Sequence, residues 1–67
     1  MTPEELKEGC LYRILGLPQV GPVFYLGKIS FERNYNKEYL HKFYPVDKTK
    51  SVHYFSNDEI KEYVRNI

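Results

Sequence analysis

The sequence has one cysteine, no tryptophan and no long apolar run. A single cysteine closes no intrachain disulfide, so the chain is not a disulfide-stapled secreted scaffold. Nothing approaches the ~20 consecutive apolar residues of a membrane-spanning helix. The opening Met1-Thr2-Pro3-Glu4-Glu5 is acidic and lacks the apolar stretch of a signal peptide, which predicts a cytoplasmic protein. A phosphate-binding loop is absent too: Gly16 and Gly21 precede no Lys-Ser/Thr pair and no helix. The soft metal ligands are Cys10, His41 and His53, without CxxC or HxxxH spacing, so no metal site is expected. Cys10 at the head of a strand reads as a small buried hydrophobe rather than a nucleophile paired with either histidine. The acids fall in helix first turns, where capping explains them, not in a converging acid–base pair. A chain of 67 residues also has little room for a substrate pocket of ~300 Å³ or more beside its core. These absences predict one domain over residues 1–67, with no catalytic activity, cofactor or metal.

What is present is an ordinary apolar content with too much tyrosine. Hydrophobic residues make up 42% and charged residues 28%, which excludes disorder at a net charge of +1. Seven tyrosines and four phenylalanines must either fill the core of a small β domain or lie on a contact surface, where tyrosine is enriched. Charge is segregated. Glu4, Glu5 and Glu8 oppose only Lys7 at the start, and Asp58, Glu59 and Glu62 exceed Lys61 and Arg65 at the end. Residues 28–53 hold Lys28, Arg33, Lys37, Lys42, Lys48 and Lys50 against Glu32, Glu38 and Asp47, a net of +3, together with both histidines. A sequence pI of 7.8 is low for a dedicated duplex-DNA binder, where values above ~9 are usual.

The order of elements follows from local signals. Thr2, Pro3 and Glu5 form a capping sequence with proline at the first helical position, predicting a short helix over residues 3–8 ended by Gly9, with Leu6 toward the core. Cys10–Leu15 reads as a strand with Cys10, Tyr12 and Ile14 inward and Arg13 outward. Residues 16–22, with two glycines and two prolines, are a loop. Val23–Phe31 is a second strand, broken at Gly27 by a bulge or bend. Residues 34–37 turn, and Glu38–Val46 is a third strand that Pro45 ends or places at an edge. A polar turn over residues 47–50 leads to a fourth strand, Ser51–Phe55. Centred near residue 48, that turn sets 41 opposite 55 and 43 opposite 53. Ser56 and Glu59 form a second capping box, followed by Ile60, Tyr63, Val64 and Ile67 at the spacing of one helical face.

The expected fold is therefore α+β, mainly β: a four-stranded antiparallel meander between a short N-terminal helix and a C-terminal amphipathic helix. Gly9-Cys10-Leu11-Tyr12-Arg13-Ile14 as an opening strand and Tyr25-Leu26-Gly27-Lys28-Ile29 as a bent second strand resemble the SH3-like small barrels, the group of Tudor-type and KOW-type modules, over residues 9–55. That resemblance implies a meander curled into a partial barrel. Two features depart from it: no tryptophan marks a peptide groove, and no aromatic cage is legible. A flat four-stranded sheet with the helix on one face is the alternative. In general style the chain also resembles short phage or mobile-element proteins, which implies a host protein as partner.

The remaining constellation interleaves bases with aromatics: Lys28, Arg33, Tyr35, Lys42, Tyr44, Lys48, Lys50 and Tyr54. Lys28, Lys42 and Tyr44 are expected to align on the sheet face opposite the core. Such a surface anchors a protein partner through tyrosines with a charged rim. Alternatively it binds nucleic acid, with bases stacked on the rings and phosphates on the cations. Homo-oligomerisation through edge strands or the C-terminal helix is a further possibility. The modest positive charge favours the protein partner.

Overall fold

The computed structural model describes residues 1–67. The chain runs through strands β1 (Leu11–Ile14), β2 (Val23–Arg33), β3 (Asn36–Pro45) and β4 (His53–Phe55), helix α1 (Asn57–Tyr63) and strand β5 (Val64–Asn66). Single 3-10 turns occupy Pro3–Glu5 and Pro18–Val20. All strands belong to one open antiparallel sheet ordered β4-β3-β2-β1-β5. The sheet thus has five strands where four are expected from sequence, and its edges β4 and β5 are not closed into a barrel but joined in sequence by α1.

The N-terminal turn is shorter than a helix over residues 3–8. The Glu5 carboxylate accepts from the Thr2 backbone N–H at 3.3 Å and the Thr2 hydroxyl at 3.0 Å, and Leu6 packs against the core. Cys10 is exposed rather than inward. Its N–H is drawn back to the Lys7 carbonyl in a turn, so regular alternation begins only at Leu11. From there Tyr12 and Ile14 are buried and Arg13 is exposed, as the pattern predicts. The loop after β1 buries Val20 within its 3-10 turn.

β2 and β3 form a long hairpin. Asn34 and Tyr35 both take positive φ, 51° and 65°, the two-residue turn whose twist matches that of paired strands. Near its base the register slips between Tyr25 and Gly27, leaving Leu26 as the extra residue of a bulge. Gly27 sits at φ +115°, and a Cβ there would lie 2.7 Å from the Glu8 Oε1. Gly27→Ala is therefore expected to cost about 1–3 kcal/mol in chemical denaturation through backbone strain. Because the Glu8 side chain can swing aside, Glu8→Ala in the same background should restore only the smaller, steric part.

The β3–β4 register is the one the 47–50 turn predicts: His41 opposes Phe55 and Phe43 opposes His53. Pro45 closes β3 against Val23, where its missing N–H costs no interior ladder bond. In α1, both halves of the capping box form: Glu59 N–H donates to Ser56 Oγ at 3.3 Å, and Ser56 N–H to Glu59 Oε1 at 3.0 Å. The helix stops at Tyr63, earlier than its apolar stripe implies. The Tyr63 carbonyl accepts from Leu15 N–H at 2.7 Å, and Val64 onward pairs with the otherwise open edge of β1. Ile60 and Val64 stay fully buried, but Tyr63 and Ile67, expected on the same buried stripe, are exposed.

The core lies between the inner sheet face and α1. Phe43 is at its centre, with rings of Tyr25, Phe55 and Tyr12 at centroid distances of 5.3, 5.7 and 6.3 Å. These four aromatics fill the interior, as the core reading of the tyrosine excess expects for Tyr12 and Tyr25; the other seven aromatics are exposed.

Candidate interaction surface

Antiparallel partners share a face, so the register places every strand side chain. On the outer face, Leu11, Phe24 and Tyr44 stand opposite one another across β1, β2 and β3. Tyr54 opposes Lys42 one step along. Beyond the bulge the face continues through Ile29 opposite Leu40 and Phe31 opposite Glu38. Leu11, Phe24, Tyr44, Tyr54, Ile29 and Phe31 are each at least 36% exposed, an apolar and aromatic set on one side of the sheet that is divided at the Gly27–Lys42 rung. Patches of this kind mark interaction surfaces, unlike singly scattered apolar residues. Its strand-borne charges are Arg13, Lys42, Arg65 and Arg33, against Glu38 alone. The acids Asp58, Glu59 and Glu62 lie instead on or beside α1, across the sheet from it.

Of the residues singled out from sequence, Lys42, Tyr44 and Tyr54 meet on this face. Lys28 does not join them, correcting the expected alignment. The extra residue at the bulge reverses the alternation, so Lys28 opposes His41 on the inner side. Its ammonium sits 4.7 Å above the Tyr39 ring. Arg33 and Tyr35 occupy the hairpin end, Tyr35 fully exposed. Lys48 and Lys50 lie in the loop before β4. There Asp47 Oδ1 accepts from the Thr49 hydroxyl at 2.7 Å and its N–H at 3.0 Å, and these bonds hold the Asp47 carboxyl below its ordinary range. The basic segment is thus divided among two faces, a tip and a loop.

Sequence reading misses Leu11, Phe24, Ile29 and Phe31 as surface residues. Apolar alternation shows which residues share a face but not which face is covered. It also misses the pairing of Arg13 with Arg65, since β5 is not anticipated.

Two other features bear on chemistry. His41 is buried, with Nδ1 2.9 Å from the Tyr25 hydroxyl and Nε2 2.7 Å from Asn57 Oδ1. Both ring nitrogens are engaged in structure, and no group of three His, Cys, Asp or Glu side chains is placed to hold a metal. A groove of about 740 Å³ lies between the 15–22 loop and Ile67. The expectation that so short a chain lacks pocket volume is corrected here: the groove forms outside the core, between a loop and the terminal strand. No helix is long and apolar enough to cross a membrane.

Comparison with protein-family models, with curated proteins and with solved structures gave no match.

Proposed function

We propose that the chain is a non-enzymatic binding module that docks a protein partner on the outer face of its sheet. The observation that carries this reading is the row Leu11–Phe24–Tyr44 with Tyr54 beside Lys42, apolar and aromatic, in register and exposed. Large rings on a rigid sheet lose little side-chain entropy on binding, which is why tyrosine serves as an interface anchor. The surrounding Arg13, Lys42 and Arg65 favour an acidic rim on the partner. The strand order and the bulged, long second strand support taking the sheet as an SH3-like partial barrel whose open side is spanned by α1.

The double substitution Lys42→Ala, Tyr44→Ala tests the surface. Both side chains are on the outer face, so the thermal midpoint should stay within a few degrees of wild type. Capture of partner from native lysate should fall at least tenfold, with nuclease present and at two salt concentrations. Capture unchanged by the substitution removes this face from the binding function. A nucleic acid is the second reading, favoured by the rings and cations on one face. Recovery of nuclease-sensitive material alone, lost steeply with salt, establishes it instead.

A further inference from the structure

The groove between the 15–22 loop and the C-terminal strand has a composition that specifies a ligand. Leu15, Leu17, Pro18, Pro22 and Ile67 supply apolar walls, and the single charged side chain along it is that of Arg13. Leu15 is 41% and Ile67 70% exposed, so these aliphatic side chains face water rather than the core. Gly16 and Gly21 leave open space where side chains would otherwise stand. The volume of about 740 Å³ falls in the range of roughly 300–1,000 Å³ typical of small-molecule sites.

Arg13 is a cation without a partner. It enters none of the side-chain hydrogen bonds of the molecule. Its cross-strand neighbour is Arg65, also cationic, and like charges directly opposite destabilise a strand pair. The Arg65 guanidinium is turned to the carbonyl oxygens of Lys61 at 3.1 Å and Val64 at 2.8 Å, whereas Arg13 has no such compensation. An anion at Arg13 would relieve that repulsion, and an aliphatic chain attached to it would cover Leu15 and Ile67.

The geometry points to this groove as a binding site for a medium-chain aliphatic carboxylate, its tail between the loop and Ile67 and its carboxylate on Arg13. The groove shares Arg13 with the basic rim of the outer face, but its apolar walls, the 15–22 loop and Ile67, lie apart from the Tyr44 row. Charge selects against a cationic amphiphile, and the all-apolar walls select against a polar acid.

Hexanoate, octanoate and decanoate, each titrated below its micellar concentration while backbone amide shifts are followed, test the assignment. Saturable shifts should be confined to residues 13–22 and 65–67. Affinity should rise roughly two- to fourfold per added methylene, as burial of each one requires. Octylammonium should bind at least tenfold more weakly than octanoate. Arg13→Gln should lower octanoate affinity about three- to tenfold, bring it level with octanol, and leave the thermal midpoint unchanged or raised. The proposal is overturned by no saturable shift, by shifts spread over Phe24 and Tyr44, or by octylammonium binding as tightly as octanoate. Tighter binding of a blocked Asp-Leu-Asp peptide in the same groove overturns it in favour of a peptide ligand.

Discussion

Ile60→Asp is expected to leave the chain unfolded at 25 °C. Ile60 has no solvent exposure and faces inward from α1, whose neighbours are β3, β4, β5 and the N-terminal turn. An aspartate there loses the apolar contacts of the isoleucine and places a carboxylate where no cation can reach it, which costs several kcal/mol. A 67-residue domain has only about 3–10 kcal/mol to lose. Val64→Asp should act alike, because Val64 is equally buried although it belongs to β5. The informative controls are Tyr63→Asp and Ile67→Asp. In one continuous amphipathic helix all four residues share the buried face, and all four substitutions unfold the protein. In the observed structure Tyr63 and Ile67 are 40% and 70% exposed, so these two variants should melt within a few degrees of wild type. Circular dichroism melts of the four variants separate the arrangements. A cooperative wild-type-like melt of Ile60→Asp contradicts the packing of α1.

The four-residue stripe shows where local sequence stops being decisive. Ser56 and Glu59 determine where α1 starts, because both halves of a capping box lie within four residues. Where it ends is decided by β1, fifty residues earlier in the chain. The free edge of β1 offers ladder hydrogen bonds that another helical turn would forgo, and Val64 remains buried in either conformation. The same division runs through the rest of the fold. The position of the 47–50 turn, together with the inward Phe43 and Phe55, sets the register of His41 and Phe43 against β4, because turn geometry and apolar pattern jointly fix hairpin pairing. Gly27 announces a bulge, but not that the bulge inverts Lys28 onto Tyr39, since one inserted residue reverses every face beyond it. Cys10 fails for a similar reason: a turn bond to Lys7, not alternation, sets its direction. Of the candidate surface, Lys42, Tyr44 and Tyr54 are legible because they sit on unbroken alternation next to a correctly read turn. Phe24 and Leu11 are not, because recognising an uncovered face requires knowing that α1 covers the other.

His41→Ala should lower stability by roughly 2–5 kcal/mol, the sum of a vacated ring volume and two abandoned buried hydrogen bonds. His41 is 3% exposed and joins β2 to α1 through Tyr25 and Asn57. Because the Asn57 Oδ1 only accepts, a neutral imidazole here donates from Nε2 and accepts at Nδ1 from the Tyr25 hydroxyl. Removing the ring leaves that hydroxyl donor buried and unpaired, whereas Asn57, at the exposed start of α1, can turn to water. Tyr25→Phe removes the donor instead and strands only the Nδ1 acceptor, so its cost should be smaller, about 1–3 kcal/mol. The pair also differs in pH response. Burial raises the Tyr25 pKa above 10.0, reinforced by the nearby Glu8 charge and by Tyr12. The folded state therefore holds the phenolic proton more tightly than the unfolded chain does. That contribution to stability is complete below pH 10 and is lost as pH rises through the folded-state value. Wild-type protein should lose stability more steeply than Tyr25→Phe above pH 10, narrowing the gap between them. Below that pH the gap should be constant with respect to this ionisation. Urea midpoints of wild type and Tyr25→Phe at pH 7, 9 and 11 measure it, and a gap that widens at pH 11 would show that the phenol is not held in its protonated form by the fold.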